Sequence, residues 1–388
     1  MGYVTSITVT EAPSMAEGLH LQIVRDYAGF KQLRKDWLTL DALSSRATLF
    51  QSYHWCDLAL KNDDVTSEPY ICCVYDGTRM VGVLPLKIIQ KKFRKILTGL
   101  AEPFQEFTDM LVAPNYSPQR IFDEIHDALE ISGADYVHFG QVRQDSALYP
   151  AMKNWIPAVG EVDAAPFVDL RQNADYAAFH KTVRTKTRKN MRNAHNSMER
   201  SAPVRHYTDS KSILLDQVIT RTFDGRSAWL EEKGLTSSAF ASDEFQKYLE
   251  NFRPGNGSPI ECLALSLHHG DTVIAEQWGF VYGDRYYAFI SNWNSAYAKF
   301  SPGKLHLGYV IETCYEKGLA VAEFMVPAVP YKKTWATTSV VVQDHVKGYT
   351  LTGKLYGTLW INWFRPLVKK LAYKVPDGLR RTIKDAVT

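Results

Sequence analysis

The chain has 388 residues, 45% of them apolar and 12% aromatic, which suffices for two packed domains of ordinary size and excludes a disordered protein. A net charge of +3 excludes a global field that would call for nucleic acid or membrane, so local basic clusters carry more meaning than the total. The five cysteines, Cys56, Cys72, Cys73, Cys262 and Cys314, show no CxxC or Cys/His ligand spacing; reduced, mostly buried thiols and no metal are expected.

Residues 1–18 read as a flexible tail. Gly2 and Ser6 match an acylation pattern, but no second anchor signal adjoins them. There is no basic-then-apolar leader and no run long enough to span a membrane, so a cytoplasmic protein is expected. Leu21, Ile23 and Val24 predict a strand, and Phe30, Leu33, Trp37, Leu38 and Leu40 an amphipathic helix. Phe50, Gln51 and Ser52 lead into a second short helix with Trp55 and Leu58. Residues 70–75 and 80–88, joined at Asp76 and Gly77, predict a hairpin. Residues 99–112 predict further strand, 121–131 a helix and 136–139 a strand. That order of elements repeats after Val168, so the expected class is α/β with a mixed sheet in two similar halves, 19–165 and 166–348.

Pro157, Gly160 and Pro166 interrupt the periodicity at the junction. Residues 175–200 predict the most charged helix in the chain. Phe179, Val183, Met191, Ala194 and Met198 form its apolar face, while Arg184, Arg188 and Arg192 recur at four-residue steps. Three readings stay open for those cations: a solvated face, a clamp for an anionic acceptor, or a tRNA surface. Residues 213–229 predict a helix with Arg226 and Trp229 near its end, and 243–252 another. Residues 260–268 and 273–282 predict an antiparallel pair with His268 and His269 at the turn, where histidines are mostly inert.

Residues 284–335 then read as strand, loop, helix, strand, a unit that lies on a parallel sheet. Ser301, Pro302 and Gly303 stand at the mouth of the helix. A serine there can cap, a proline needs no donor, and a glycine lets a ligand approach the backbone. Such a mouth suits a phosphate or pyrophosphate, although a plain helix start has the same composition.

The run Gly283, Asp284, Arg285, Tyr286, Tyr297, Ser301-Pro302-Gly303, Leu305, Ile311-Glu312, Gly318, Glu323-Phe324, Tyr331-Lys332 and Trp335 resembles the core of the CelD-like acetyltransferases. These are GNAT-superfamily proteins similar to the FemABX aminoacyl transferases. The resemblance covers residues 165–340 well and 21–112 more loosely. Two positions depart from it, Glu323 where the family has Asp and Pro327 where it has Gly. It implies two tandem GNAT-like domains in a FemABX-like arrangement, with acetyl-CoA as co-substrate. It further implies an amino-sugar or polysaccharide precursor of the cell envelope as acceptor.

Acyl transfer from a thioester requires a grip on the donor, polarisation of its carbonyl, deprotonation of the attacking amine and control of the departing thiolate. Ser301, Gly303, Lys304 and Leu305 are the expected donor-binding residues, with Asn292 on the strand before them. Glu323 and Glu276 are candidates for the proton, and Glu323 has the alternative role of orienting Lys332 through an ion pair. Tyr331 can protonate the thiolate, and Lys332 can stabilise developing negative charge. Arg188, Arg192, Arg226 and Trp229 are the expected acceptor-binding residues. No nucleophilic side chain is needed.

Residues 349–388 mix Leu355, Leu359, Trp360, Trp363, Phe364, Leu367 and Leu371 with Arg365, Lys369, Lys370, Lys374, Arg380 and Arg381. A basic, aromatic, amphipathic extension of this kind docks on its own body, on a partner protein or on the inner face of a membrane. An anionic regulator is another ligand for its cations. Two readings compete with the acyl-CoA enzyme: a FemABX-type transferase using aminoacyl-tRNA, and a non-catalytic binding or scaffold protein of polysaccharide biosynthesis.

Overall fold

Local signals start and stop most elements of the computed structural model, which describes residues 18–44, 48–61, 67–209, 213–232 and 259–357. The first half opens with β1 (Leu19–Val24), α1 (Tyr27–Gln32), α2 (Arg34–Leu43) and α3 (Tyr53–Lys61). Next come β2 (Ser67–Pro69), β3 (Ile71–Asp76), β4 (Arg79–Leu84), β5 (Leu86–Lys91), β6 (Arg94–Gly99) and β7 (Leu111–Val112). It closes with α4 (Pro118–Glu130), β8 (Tyr136–Arg143) and α5 (Leu148–Met152). The second half begins with β9 (Ala158–Asp169), α6 (Tyr176–Thr182), α7 (Thr185–Glu199), β10 (Val204–Asp209) and α8 (Ile213–Glu232). After β11 (Glu261–His269), β12 (Thr272–Tyr282) and β13 (Arg285–Trp293) come α9 (Pro302–Glu316), β14 (Val321–Glu323) and α10 (Pro330–Trp335). The chain then forms β15 (Thr338–Gly348) and α11 (Leu351–Leu355). Asp26, Asp175 and Thr350 cap α1, α6 and α11 through their side-chain oxygens, each satisfying an otherwise orphaned N–H.

Strands β1, β3, β4 and β7 form a small sheet in that order, and the other eleven form a second in the order β10, β11, β12, β13, β14, β9, β15, β8, β6, β5, β2. The large sheet runs through both halves without a break. β9, which contains the 165/166 junction, pairs with β14 and β15, and β15 pairs in turn with β8 of the first half. The second strand of the predicted hairpin, residues 80–88, divides at Pro85. β4 joins the small sheet and β5 the large one, because proline cannot donate to a ladder. Residues 99–112 are a loop that ends in the two-residue β7 rather than a strand. The predicted 175–200 helix is broken where Val183 and Arg184 turn extended, at ψ 139° and 130°; a β-branched residue before a cation-dense turn is a poor helix interior. The predicted helix 243–252 lies outside the described residues, as does the extension from 358 onward.

Each half has an apolar core, and a third cluster joins them. In it Phe50 meets Tyr287 edge-on at 5.9 Å and Trp55 meets Phe280 at 5.1 Å. All five cysteines are free and buried; Cys72 and Cys73 point to opposite faces of β3, and both faces are covered. No helix among the described residues is long and apolar enough to cross a membrane.

His306 is buried on α9, and neither of its ring nitrogens has a hydrogen-bond partner among the described residues. Burial therefore pushes its pKa down to about 3, from an ordinary 6.5. Unfolded chains take up the proton near 6.5 and folded ones do not, so stability is complete above that pH and declines as pH falls toward 3. At pH 5 the loss is about 2 kcal/mol from this residue. Denaturant titrations at pH 7 and pH 5 check it: a His306→Leu variant is expected to lose about 2 kcal/mol less over that interval than the parent chain.

Candidate active site

The site begins where two parallel strands part. β13 and β14 pair over three residues, Arg285 to Val321, Tyr286 to Ala322 and Tyr287 to Glu323, and then diverge. β13 continues to Trp293, while the chain after β14 turns away at Met325, whose φ is 61°. A bulge sharpens the opening: Trp278 pairs with Ile290 and Gly279 with Ala288, which leaves Phe289 unpaired. Gly279 is required there, since a Cβ would lie 2.0 Å from the Tyr287 carbonyl.

α9 starts at the top of that opening. Ser301 adopts a left-handed conformation, and its hydroxyl makes no cap, contrary to the expected role. Its carbonyl accepts instead from the Lys304 and Leu305 N–H groups at 3.0 and 3.1 Å. Among the described residues the Gly303 N–H has no backbone acceptor. A Cβ on Gly303 would stop 3.8 Å from the Trp293 ring, so the mouth is open rather than plugged. Leu305 belongs to the core at 6% exposure, and its side chain presents nothing polar to a donor. Asn292 packs on Gly225 of α8, on the face of the sheet opposite α9. Of the five expected donor-binding residues, Ser301, Gly303 and Lys304 stand together at the mouth.

Below it lies a cluster of charges drawn from both halves. Glu323 is fully buried, and its Oε2 accepts from Arg143 at 2.7 Å and from Arg285 at 2.9 Å. Arg143 also pairs with Asp145 and lies over the Phe107 ring. Two guanidinium groups engage Oε2 of this carboxylate, so its observed partners are Arg143 and Arg285 and not Lys332. Lys332 donates to the Met325 and Val326 carbonyls at 3.1 and 3.2 Å, so it braces the turn that leaves β14. Burial lowers its pKa to about 8, against the opposing pull of Glu106 and Glu323.

Glu106, on the loop between β6 and β7, is the acid that sequence reasoning missed. Burial raises its pKa to about 7, and its carboxylate accepts from the Val326 N–H while Lys332 opposes the shift. Glu102 on the same loop is raised to about 7, also by burial, with His138 opposing. The available signal was an acid set between Phe104 and Phe107, both of which are buried. Tyr331 stands at the rim, 38% exposed; burial raises its pKa, while Ser291 and Arg226 oppose the change.

The expected acceptor-binding residues do not converge. Arg226 lies near Tyr331 and Lys332. Arg188 and Arg192 line a separate cavity of about 270 Å³ between α7 and α9, with His195, Tyr309 and Glu312. The side chain of Trp229 lies outside the described residues. Glu276 is held by Arg221 through bonds of 2.5 to 3.2 Å and is not available as a base. Among the described residues no group of three or more His, Cys, Asp or Glu side chains converges as a metal site.

Residues 185–333, from α7 to α10, match the family model described as an acetyltransferase (GNAT) domain. This segment is similar to a GNAT domain. The chain that carries it is an acyltransferase. The solved structure of FemX is 11% identical, with a TM-score of 0.54, over 83% of this chain and 97% of that one. A tandem GNAT protein from the clavulanic acid biosynthesis pathway is 13% identical, with a TM-score of 0.51, over 85% and 99%. At such identities the likeness concerns the fold, a mixed α/β arrangement of two tandem GNAT-like domains. No curated protein matches the sequence.

Proposed function

We propose that this GNAT protein is an acyl-CoA-dependent N-acyltransferase. Acetyl-CoA is its donor, and its acceptor is an amino group on a cell-envelope or exopolysaccharide sugar precursor. The observation that carries the reading is the open α9 mouth beside parted strands that lead down to Glu106 and Lys332. The CelD-like resemblance supports the acceptor class, with residues 166–348 as the catalytic half.

The residues present fit such a donor. The Gly303 N–H and the Lys304 ammonium would hold its diphosphate, and backbone N–H groups of β13 beyond the bulge its extended arm. Bound there, the donor supplies an electrophilic thioester carbonyl. Glu106, poised near neutrality, takes the proton from the attacking amine. Lys332 steadies negative charge as it develops in the cleft. Tyr331 at the rim returns a proton to the departing sulfur, and Arg226 orients the acceptor.

Coenzyme A is expected to raise the melting temperature of the parent chain, by the equivalent of about 2.7 kcal/mol at a hundred times Kd. Gly303→Glu, which sets a carboxylate at the mouth without a backbone clash, is expected to weaken that binding at least roughly tenfold. Release of the CoA thiol against a panel of amino sugars then tests the acceptor. Stabilisation by tRNA and not by coenzyme A would replace this reading with the FemABX-type one. Stabilisation by neither would favour a non-catalytic scaffold.

A further inference from the structure

The most exposed large apolar side chain among the described residues is Phe93, at 97%. It occupies, with Lys92, the two-residue tip of the β5–β6 hairpin, where Lys91 pairs with Arg94. Lys91, Lys92 and Lys95 are exposed around it. The tip is fixed in place: the Gln90 side chain donates to the Lys92 carbonyl at 3.0 Å. Lys92 has a φ of 54°, a conformation that two-residue hairpins favour for Asn or Gly. A lysine and a phenylalanine at these positions are unsuited to a merely solvated turn.

The neighbouring surface has the same character. Arg94 stacks on Tyr356 at 3.8 Å, which brings α11 against the hairpin with Leu351 82% and Leu355 60% exposed and Lys354 beside them. Asp135 accepts from the Lys95 N–H at 2.8 Å and the Thr350 hydroxyl at 2.7 Å, so its charge is engaged locally, and Lys91 lies within electrostatic reach of Glu102.

We infer that this end of the molecule docks on an anionic lipid bilayer. Phe93 enters the boundary between headgroups and acyl chains, and Lys91, Lys92, Lys95 and Lys354 meet the lipid phosphates. The shape selects the partner. A protein hot spot is a side chain seated in a rimmed, desolvated pocket, whereas a lone ring projecting from a convex, cationic tip fits a fluid interface. β6 carries the chain away from the tip for about 20 Å before the loop that holds Glu102 and Glu106. The inference stands apart from the acyl-transfer reading.

Co-sedimentation of the full chain with phosphatidylcholine vesicles, with and without phosphatidylglycerol, tests it. Binding is expected to the anionic vesicles alone and to weaken with added salt. Phe93→Asp is expected to reduce it at least roughly tenfold, and Lys92→Ala about fivefold. Phe93→Trp keeps the binding. Because Phe93 packs on so little, the melting temperature of each variant should match the parent. Equal binding to neutral vesicles, absence of binding to either, or a Phe93→Asp variant that binds like the parent would each overturn the assignment.

Discussion

Replacing Glu106 by Gln is expected to lower kcat by roughly a hundredfold or more, with coenzyme A affinity unchanged within about twofold. The amide keeps the size of the side chain and removes the group that takes the amine proton. The pH profile supplies the sharper readout. A base with a pKa of about 7 must be ionised, so kcat/KM rises through that pH. A cation with a pKa of about 8 must be protonated, so it falls again beyond that value. The expected profile of the parent chain is a bell, and Glu106→Gln should lack its ascending limb. A variant that kept both the rate and the limb would remove Glu106 from the chemistry and return attention to Glu102.

Arg143→Ala should destabilise the fold by about 3 to 5 kcal/mol, because it takes one of two cations from a fully buried carboxylate. The melting temperature should fall by roughly 5 °C or more. Removing the opposing charge as well separates this cause from lost packing on Phe107: Arg143→Ala combined with Glu323→Gln should recover a good part of the loss. No recovery in the double variant would mean that the ion pair is not what holds this point of the sheet. The pair links β8 of the first half to β14 of the second, residues 180 apart in sequence. Its loss should therefore loosen the contact that keeps the Glu106 loop opposite Lys332.

Much of the second half is readable from its residues. The alternation in 260–282, the aromatic strand before Asn292 and the Pro302-Gly303 helix start stand where the pattern puts them, because each is specified by neighbours within a few positions. Lys332 stands out in the sequence through the Tyr331-Lys332 pair that resembles the CelD-like family. Its bonds to the Met325 and Val326 carbonyls do not, since they follow from how the chain turns after β14. Glu323 shows the same limit. An acid at the end of a strand reads equally well as a base or as an ion-pair partner, and only Arg143, brought in from the other half, decides between them.

The sequence by itself determined the α/β class, the repeated order of elements and the strand–helix–strand unit. All of these are written in local periodicity, capping chemistry and the conformational freedom of glycine. Only the tertiary structure decided that one sheet spans both halves, that Arg188 and Arg192 lie apart from Arg226, and that Glu106 faces Lys332. The physical reason is that a side chain's protonation and partners depend on what surrounds it in space. Residues distant in the chain supply those surroundings, and no local pattern records them.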